Sequence, residues 1–255
     1  MKNKKYLGQN WLKDRPTLEA IADLAFEDVK LCLEIGPGLG TLTSSLLRRF
    51  EKVLAVEYDE TLAKNLPGSF PGKNLEVVNA DFLQFDLEKI NQPFVVAGNI
   101  PYYITTAIIE KLLTANNKPE KIVLLVQKEV AEKICPKESK LGNSSLSLFV
   151  ENFARASLGP VVTKDFFTPP PKVDSRVIVL TPREAPKVSP KTLKFIHSAF
   201  ANPRKKLSAN LANLTHLSKP ELEALFEAHD LRPDARPANL ALEDYAMLAK
   251  LIKKV

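Results

Sequence analysis

Cysteine, histidine and long apolar runs are scarce in this 255-residue chain, and each scarcity excludes a class of protein. The two cysteines, Cys32 and Cys135, are too few for a disulfide framework, and the three histidines are not spaced like metal ligands. No apolar stretch approaches the roughly twenty residues that span a bilayer, and no signal-peptide core follows the basic start of the chain. We therefore expect a cytoplasmic protein with no metal and no membrane contact.

Acidic residues are outnumbered by basic ones, which favours a polyanionic partner. The chain has 36 Lys and Arg against 30 Asp and Glu, a net charge of +6. Most of this excess lies after residue 180, where 13 basic residues face 8 acidic ones. A solvated helical surface would give the same pattern. With 45% hydrophobic residues, the chain can bury the core of one large or two modest domains.

Strand and helix patterns divide the chain into two predicted domains. Residues 1–181 alternate strands with helices, which predicts a parallel sheet with helices on both faces. A proline-rich linker follows at Thr181–Pro190, and residues 190–255 are predicted to form a small all-α domain. Its helical segments are 191–200, 204–214, 219–229 and 240–253.

A glycine loop follows the first clear strand of the predicted sheet. Leu31–Ile35 reads as a buried strand, and the loop Gly36–Gly40 then leads into a helical pattern. Glycines permit positive φ and let the backbone approach a ligand closely, although an ordinary strand-to-helix turn has the same composition. The next strand, 53–56, ends in Glu57, which can accept hydrogen bonds from ribose hydroxyls. Together these features predict a nucleoside-containing cofactor.

Two further strands also end in polar candidates. The strand 75–78 leads to Asp81 and Phe82, and the strand 94–97 leads to the turn 98–101. Ligands of an open parallel sheet bind outside the carboxyl ends of its strands, so these loops are expected to share one crevice. Asp81 would accept from the cofactor's adenine amine, with Phe82 beside the ring. Alternatively, Asp81 caps a short helix.

The segment Asn99-Ile100-Pro101-Tyr102 is suited to gripping a flat base. The Asn99 side-chain oxygen and the Ile100 carbonyl can accept both hydrogens of an exocyclic amine, because Pro101 biases the preceding residue towards an extended conformation. Tyr102 would stack on the base. The alternative is that the segment is only a turn at the end of the strand, in which Asn99 and Pro101 form the turn and the tyrosine covers an edge of the sheet.

Five motifs are spread along most of the sequence, at residues 7–12, 34–43, 99–102, 126–130 and 166–175. In these motifs the chain resembles the small-subunit ribosomal RNA adenine dimethyltransferases, the KsgA family. The resemblance implies a Rossmann-like class I methyltransferase sheet with an antiparallel edge strand, and S-adenosyl-L-methionine as methyl donor. It also implies a substrate: two adjacent adenosines near the 3′ end of small-subunit (16S) rRNA, each dimethylated during ribosome biogenesis.

Site residues are then predicted from the motifs and from the loops already described. The cofactor is expected at Gln9, Asn10, Leu12, Gly36, Gly38, Glu57, Tyr58, Asp81, Phe82 and Asn99. Catalysis is assigned to Asn99, Ile100, Pro101, Tyr102 and Phe167. Phe167 is predicted as the second stacking platform, held by the stiff prolines, while Phe166 packs inward; core packing is the alternative for either ring. Phosphate contacts are predicted at Arg204, Lys205 and Lys206, and the terminal Lys2, Lys4 and Lys5 are expected to sit in water.

Other functions share parts of this pattern. Asn-Ile-Pro-Tyr also occurs in the erythromycin-resistance methyltransferases of large-subunit rRNA, but Gln127–Glu129 and the triple proline at 169–171 resemble the small-subunit enzymes more. Trp11 and Pro203 depart from the family pattern, and Pro203 leaves the RNA contact beside it less secure. A nucleotide-dependent oxidoreductase would share the glycine loop and Glu57 but has no use for the segment 99–102. A non-catalytic RNA-binding assembly or transcription factor on the methyltransferase scaffold is a third hypothesis, against which the intact set of Glu57, Asp81 and Asn99 argues. A monomer whose partner is the small ribosomal subunit precursor is expected.

Overall fold

The computed structural model describes residues 9–252, and its chain divides into two compact units. The sheet unit comprises Met1–Ala131 and Arg155–Pro182, and the helical unit comprises Glu132–Ala154 and Arg183–Val255. The predictions for Lys2, Lys4, Lys5 and residues 7–8 lie outside the described residues.

The sheet unit alternates strands with helices along most of its length. Its strands are β1 (Trp11–Leu12), β2 (Leu31–Ile35), β3 (Lys52–Glu57), β4 (Leu75–Asn79), β5 (Phe94–Asn99), β6 (Ile122–Gln127), β7 (Ala154–Val162), β8 (Phe167–Thr168) and β9 (Ser175–Pro182). Its helices are α1 (Arg15–Ala25), α2 (Thr41–Leu46), α3 (Glu60–Asn65) and α4 (Thr105–Thr114), and the chain leaves the unit within α5 (Lys128–Ile134).

Seven strands form one mixed sheet in the order β4-β3-β2-β5-β6-β9-β7. The first five are mutually parallel, and β9 is antiparallel to β6, with Gln127 opposite Ser175. Strands β2, β5 and β6 are buried along nearly their whole length, as expected for central parallel strands covered on both faces. The α/β prediction, with an antiparallel strand, is confirmed. Parallel order also brings the carboxyl ends of β2, β3, β4 and β5 to one edge.

The helical unit has its own apolar core. Its helices are α6 (Pro136–Ser139), α7 (Ser145–Phe153), α8 (Pro190–Ala199), α9 (Leu207–Leu211), α10 (Lys219–Glu227) and α11 (Leu242–Leu251). Fully buried Phe195, Phe226 and Tyr245 lie at the centre of this core. Ser144 and Ser218 begin α7 and α10 with capping boxes, in which side chain and backbone satisfy each other's free hydrogen-bonding groups.

The predicted domain boundaries are wrong for one segment. Residues 132–154 belong to the helical unit rather than to a continuous domain 1–181, because α7 buries Leu148 in the helical core. The expected linker is also tied down within that unit. Lys187 bridges Glu151 and Glu243 at 2.9 and 3.2 Å, and its backbone N–H donates to the Asn152 carbonyl.

Both cysteines are buried free thiols. In residues 9–252, no helix combines the length and apolarity needed to cross a membrane. Within the same range, no cluster of three or more His, Cys, Asp or Glu is arranged to hold a metal ion.

Candidate active site

A cavity of about 410 Å³ opens at the carboxyl ends of the parallel strands. All its lining residues come from the sheet unit, between residues 9 and 104. Most of the residues predicted from sequence meet here: Gln9, Asn10, Gly36, Gly38, Glu57, Tyr58, Asp81, Phe82, Asn99, Ile100, Pro101 and Tyr102. The expected convergence of four strand ends is therefore found.

Glu57 holds the glycine loop in place. One carboxylate oxygen accepts from the Gly38 N–H at 3.0 Å, and the other accepts from the Asp59 N–H at 2.8 Å. Gly38 has a φ of +57°, and an added Cβ would lie 3.2 Å from the Trp11 ring nitrogen, so glycine is required by conformation and by space. Burial raises the pKa of Glu57, while these backbone donors act in the opposite direction.

The loop after β4 adds a second carboxylate. Asp81 accepts from the Leu83 N–H at 2.8 Å, so it closes a local turn as well as lining the cavity, and both predictions for this residue have a structural counterpart. Phe82 is 4% exposed and forms part of the same wall. The Asn79 side chain donates to the Glu57 carbonyl at 2.9 Å, which ties the ends of β3 and β4 together.

Asn99 faces the cavity with a defined amide orientation. Its Nδ2 donates to the Asn10 carbonyl at 2.9 Å. A carbonyl can only accept, so a flipped amide would oppose two acceptors and lose this bond. The Asn99 side-chain oxygen is therefore the atom presented to a ligand, as an acceptor for an amine.

Tyr102 is held at its hydroxyl. The Tyr102 and Ser175 oxygens lie 2.7 Å apart, and Ser175 is fully buried at the start of β9. Burial raises the pKa of Tyr102, with the Ser175 hydrogen bond acting in the opposite direction. The next residue, Tyr103, also lines the cavity and is 67% exposed.

The turn before Ser175 is fixed by its neighbour Asp174. The Asp174 carbonyl accepts from the Lys128 N–H at 3.0 Å, and the Asp174 carboxylate accepts from the Lys164 N–H at 3.1 Å. These bonds anchor the turn that contains the triple proline at 169–171 to the start of α5 and to the segment after β7. This turn therefore acts on the cavity through Ser175 and Tyr102.

The prediction that Phe167 is a stacking platform is wrong. Phe167 is 3% exposed and packs in the main core of the sheet unit, opposite Leu12 in the β1–β8 pair. Phe166, which was expected to pack inward, is instead 41% exposed. Side chains alternate along a strand, and the alternation at β8 runs in the opposite sense to the one expected.

The same alternation corrects the prediction for Leu12. Its side chain is fully buried in the core and does not line the cavity, whereas the adjacent Trp11 does. Trp11 also contacts the Gly38 position of the glycine loop. Its place in a short strand before α1 carried too little pattern for its direction to be read from the sequence.

Glu34 is a cavity residue that received no role from the sequence. It is 1% exposed on β2, and the Thr43 hydroxyl donates to it at 2.6 Å. Burial, with a contribution from the charge of Glu57, raises the pKa of Glu34 to about 8, although the Thr43 bond acts against the shift. A charged residue inside an otherwise apolar strand was the available signal.

In the helical unit, two of the three predicted phosphate contacts are available. Arg204 and Lys205 are exposed, and among the described residues neither forms an ion pair. Lys206 lies 3.3 Å from the Glu223 carboxylate, which also accepts from the Ser208 hydroxyl. Lys206 is thus partly neutralised by its own fold.

Comparison with known proteins gives one consistent result. A sequence model of the family "Ribosomal RNA adenine dimethylase" matches residues 1–254. The ribosomal RNA small subunit methyltransferase A of Mycoplasma mycoides is 34% identical, over 99% of this chain and 98% of that protein. Its counterpart of the same name in Bacillus pumilus is 37% identical, over 98% and 91%.

Solved structures are similar over the same length. The crystal structure of the 23S rRNA methyltransferase ErmE matches with a TM-score of 0.76 and 30% identity, over 96% of this chain and 100% of that one. A dimethyladenosine transferase from Plasmodium falciparum matches with a TM-score of 0.76 and 26% identity, over 95% and 96%. The class I methyltransferase sheet with a helical C-terminal portion, predicted from sequence, is confirmed.

Proposed function

The chain belongs to the ribosomal RNA adenine dimethylase family, and on that premise we propose that its targets are two adjacent adenosines near the 3′ end of small-subunit rRNA. As a member it is an S-adenosylmethionine-dependent methyltransferase that acts on rRNA adenines. Relatives that match it along nearly their whole length are named for the small subunit, which supports that substrate over the large subunit.

The observation that carries the proposal is the fixed amide of Asn99 in the cavity that also holds the glycine loop and Glu57. The residues present fit a nucleoside-containing methyl donor: a loop with glycines at positive φ beside the cavity, and carboxylates at the ends of two strands. When bound, S-adenosylmethionine supplies a methyl group activated on a sulfonium. We assign its binding to Asn10, Gly36, Gly38, Glu57 and Asp81.

The acceptor adenine is held by the loop after β5. The exocyclic amine is a poor nucleophile because its lone pair is delocalised into the ring. The Asn99 side-chain oxygen and the Ile100 carbonyl accept its two hydrogens, which orients the lone pair towards the methyl donor. Tyr102 stacks on the extruded base and recovers part of the few kcal/mol that unstacking costs.

No strong general base is needed in this scheme, since the proton is lost after the methyl group has been transferred. Glu57 is a poor candidate for that role, because both of its oxygens accept backbone hydrogen bonds within the loop. The protein's contribution is therefore to position the two reactants.

Recognition of the RNA backbone is assigned to the helical unit. Arg204 and Lys205 are exposed cations, and Lys206 joins them when RNA competes with Glu223.

Each phosphate contact adds about one unit to the slope of log affinity against log salt, so Arg204→Gln should reduce that slope by about one. Lys191→Gln is the matched control, because it removes the charge of an exposed lysine in the same unit. An unchanged slope for Arg204→Gln would remove it from the interface.

We place the enzyme in the cytoplasm, where small ribosomal subunit precursors are assembled. We propose that it acts as a monomer.

The test is transfer of labelled methyl groups from S-adenosylmethionine to small subunits that lack adenosine methylation, with unmethylated large subunits and free rRNA in parallel. Label recovered as dimethyladenosine from small-subunit rRNA alone supports the proposal. Label in the large subunit would assign the protein to the resistance-enzyme branch. Tight RNA binding without any label would instead favour a non-catalytic factor.

A further inference from the structure

Lys111 lies on α4, the helix that follows the acceptor loop, yet its ammonium group contacts the segment Asp81–Leu83, which lines the cavity on the cofactor side. Its Nζ donates to the Leu83 carbonyl at 3.0 Å and lies 5.9 Å from the centre of the Phe82 ring. That distance is within the range in which a cation is attracted to an aromatic face. Among the residues that the structure describes, Lys111 forms no ion pair, so these two contacts account for its position.

Two hydrogen bonds to Leu83 hold the segment Asp81–Leu83, one at its N–H and one at its carbonyl. The Leu83 N–H donates to the Asp81 carboxylate, and the Leu83 carbonyl accepts from Lys111. Asp81, Phe82 and Leu83 all line the cavity. Without the Lys111 ammonium the Leu83 carbonyl loses its donor, while the bonds from the Gln84 and Phe85 N–H groups to the Asp81 carbonyl stay in place, so the segment is loosened on one side only.

The same helix begins where the acceptor loop ends. Tyr102–Ile104 form a short 3₁₀ turn that runs directly into α4 at Thr105. Lys111 follows six residues later, just under two helical turns along α4. One rigid helix therefore connects the loop that holds the base to the loop assigned to the cofactor's adenine.

We propose that Lys111 is a positioning residue for cofactor binding: through the Leu83 carbonyl and the Phe82 ring it holds Asp81 and Phe82 ready for the adenine of the methyl donor. The proposal rests on the function proposed above, in which Asp81 and Phe82 contact that adenine. Lys111 itself touches neither reactant. Its loss should weaken cofactor affinity and leave turnover at saturating cofactor nearly unchanged.

Lys111→Met tests this directly, because methionine keeps the apolar stem and removes the charge and the donor. Calorimetric titration of the full chain with S-adenosylhomocysteine should give a Kd raised about fivefold, the size expected from one lost hydrogen bond. Lys111→Arg keeps a cation and a donor, and should remain within about twofold of wild type by the same scale. Lys89→Met removes an exposed lysine of the same unit and should have no effect.

Kinetics and hydrogen exchange separate positioning from a general loss of structure. In Lys111→Met, KM for S-adenosylmethionine should rise while kcat changes little, and the Leu83 amide should exchange faster, with the amides of β2 and β5 unaffected. An unchanged Kd in Lys111→Met, or an equal loss in Lys111→Arg, overturns the inference. A wild-type protein that does not bind S-adenosylhomocysteine would instead overturn the proposed function.

Discussion

The two sides of the cavity are held together in different ways. On the cofactor side, Glu57 binds Gly38 across 19 residues of chain, and Asn79 binds the Glu57 carbonyl across 22. On the acceptor side, Asn99 binds Asn10 across 89 residues and Tyr102 binds Ser175 across 73. The cofactor side is thus built from neighbouring strand–helix units, whereas the acceptor side depends on distant segments reaching the same place.

This difference decides where mutations outside the cavity act. A change in the proline-rich turn reaches the acceptor side through Ser175, whereas the hydrogen bond that holds the glycine loop lies between adjacent strand–helix units. Acceptor and cofactor binding are therefore expected to be separable by mutation.

The largest expected effect is on the acceptor side. Asn99→Ala removes the oxygen that accepts from the target amine and the donor to Asn10. We expect kcat for methyl transfer to fall by about 100- to 1,000-fold, the usual result of deleting one preorganised hydrogen-bonding group in an active site. Binding of small-subunit RNA should be largely retained, as measured by filter binding at fixed salt.

Asn116→Ala, an exposed asparagine of the same unit, serves as the control. Loss of RNA binding and activity together in Asn99→Ala would mean that Asn99 shapes the RNA surface rather than the reaction.

Gly38→Ala tests the cofactor side. The new Cβ must sit at a φ of +57°, 3.2 Å from the Trp11 ring nitrogen, and a left-handed non-glycine residue costs about 1–2 kcal/mol. If the loop shifts to relieve that strain, affinity for S-adenosylhomocysteine should fall by about tenfold, the equivalent of 1.4 kcal/mol. Gly68→Ala, whose Cβ would meet nothing within 4 Å, should bind normally. Equal affinities for the two variants would show that the loop tolerates a side chain.

The sequence predicted the two sides unequally, for the same structural reason. The glycine loop, Glu57 and Asp81 lie one after another on consecutive strands, so their convergence follows from parallel topology alone. Phe167 was misassigned because its direction depends on a two-residue strand pairing with Leu12, more than 150 residues earlier. The hydrophobic periodicity of the sequence around Phe167 does not specify a pairing with a segment so far away along the chain. Ser175 was missed for the same reason: its partner, Tyr102, lies 73 residues away.

The domain boundary shows the same limit on a larger scale. The sheet unit ends at Pro182, the last residue of β9, and the proline-rich segment from which the end of that unit was predicted begins at Thr181. Nothing local indicates that α7, placed between two strands of the sheet, buries Leu148 in the other unit.

Breaking the tie at Tyr102 should have a smaller effect than the two changes above. Ser175→Ala and Tyr102→Phe each remove one hydroxyl from the pair, and a typical hydrogen bond contributes about 1 kcal/mol. We expect each to reduce kcat/KM for RNA by about fivefold on that scale, with cofactor affinity unchanged. The double variant should be no worse than either single variant, because both delete the same bond. Additive losses would show that the two hydroxyls act independently.

The last expected effect concerns stability rather than activity, and it belongs to the cofactor side, where Glu34 is buried. Its pKa is about 8 in the folded protein, against 4.5 for an ordinary glutamate, chiefly because burial disfavours the charge. Between these two values the folded chain keeps a proton that the unfolded chain has released. The free energy of unfolding should therefore fall as pH rises from about 4.5 to 8, by at most about 1.4 kcal/mol per pH unit. Glu34→Gln retains the shape and an acceptor for Thr43 but cannot titrate, so its urea midpoint should fall less steeply over that window. If the urea midpoints of the two proteins fall equally steeply with pH, Glu34 is charged in the folded state, and groups other than Thr43 stabilise that charge.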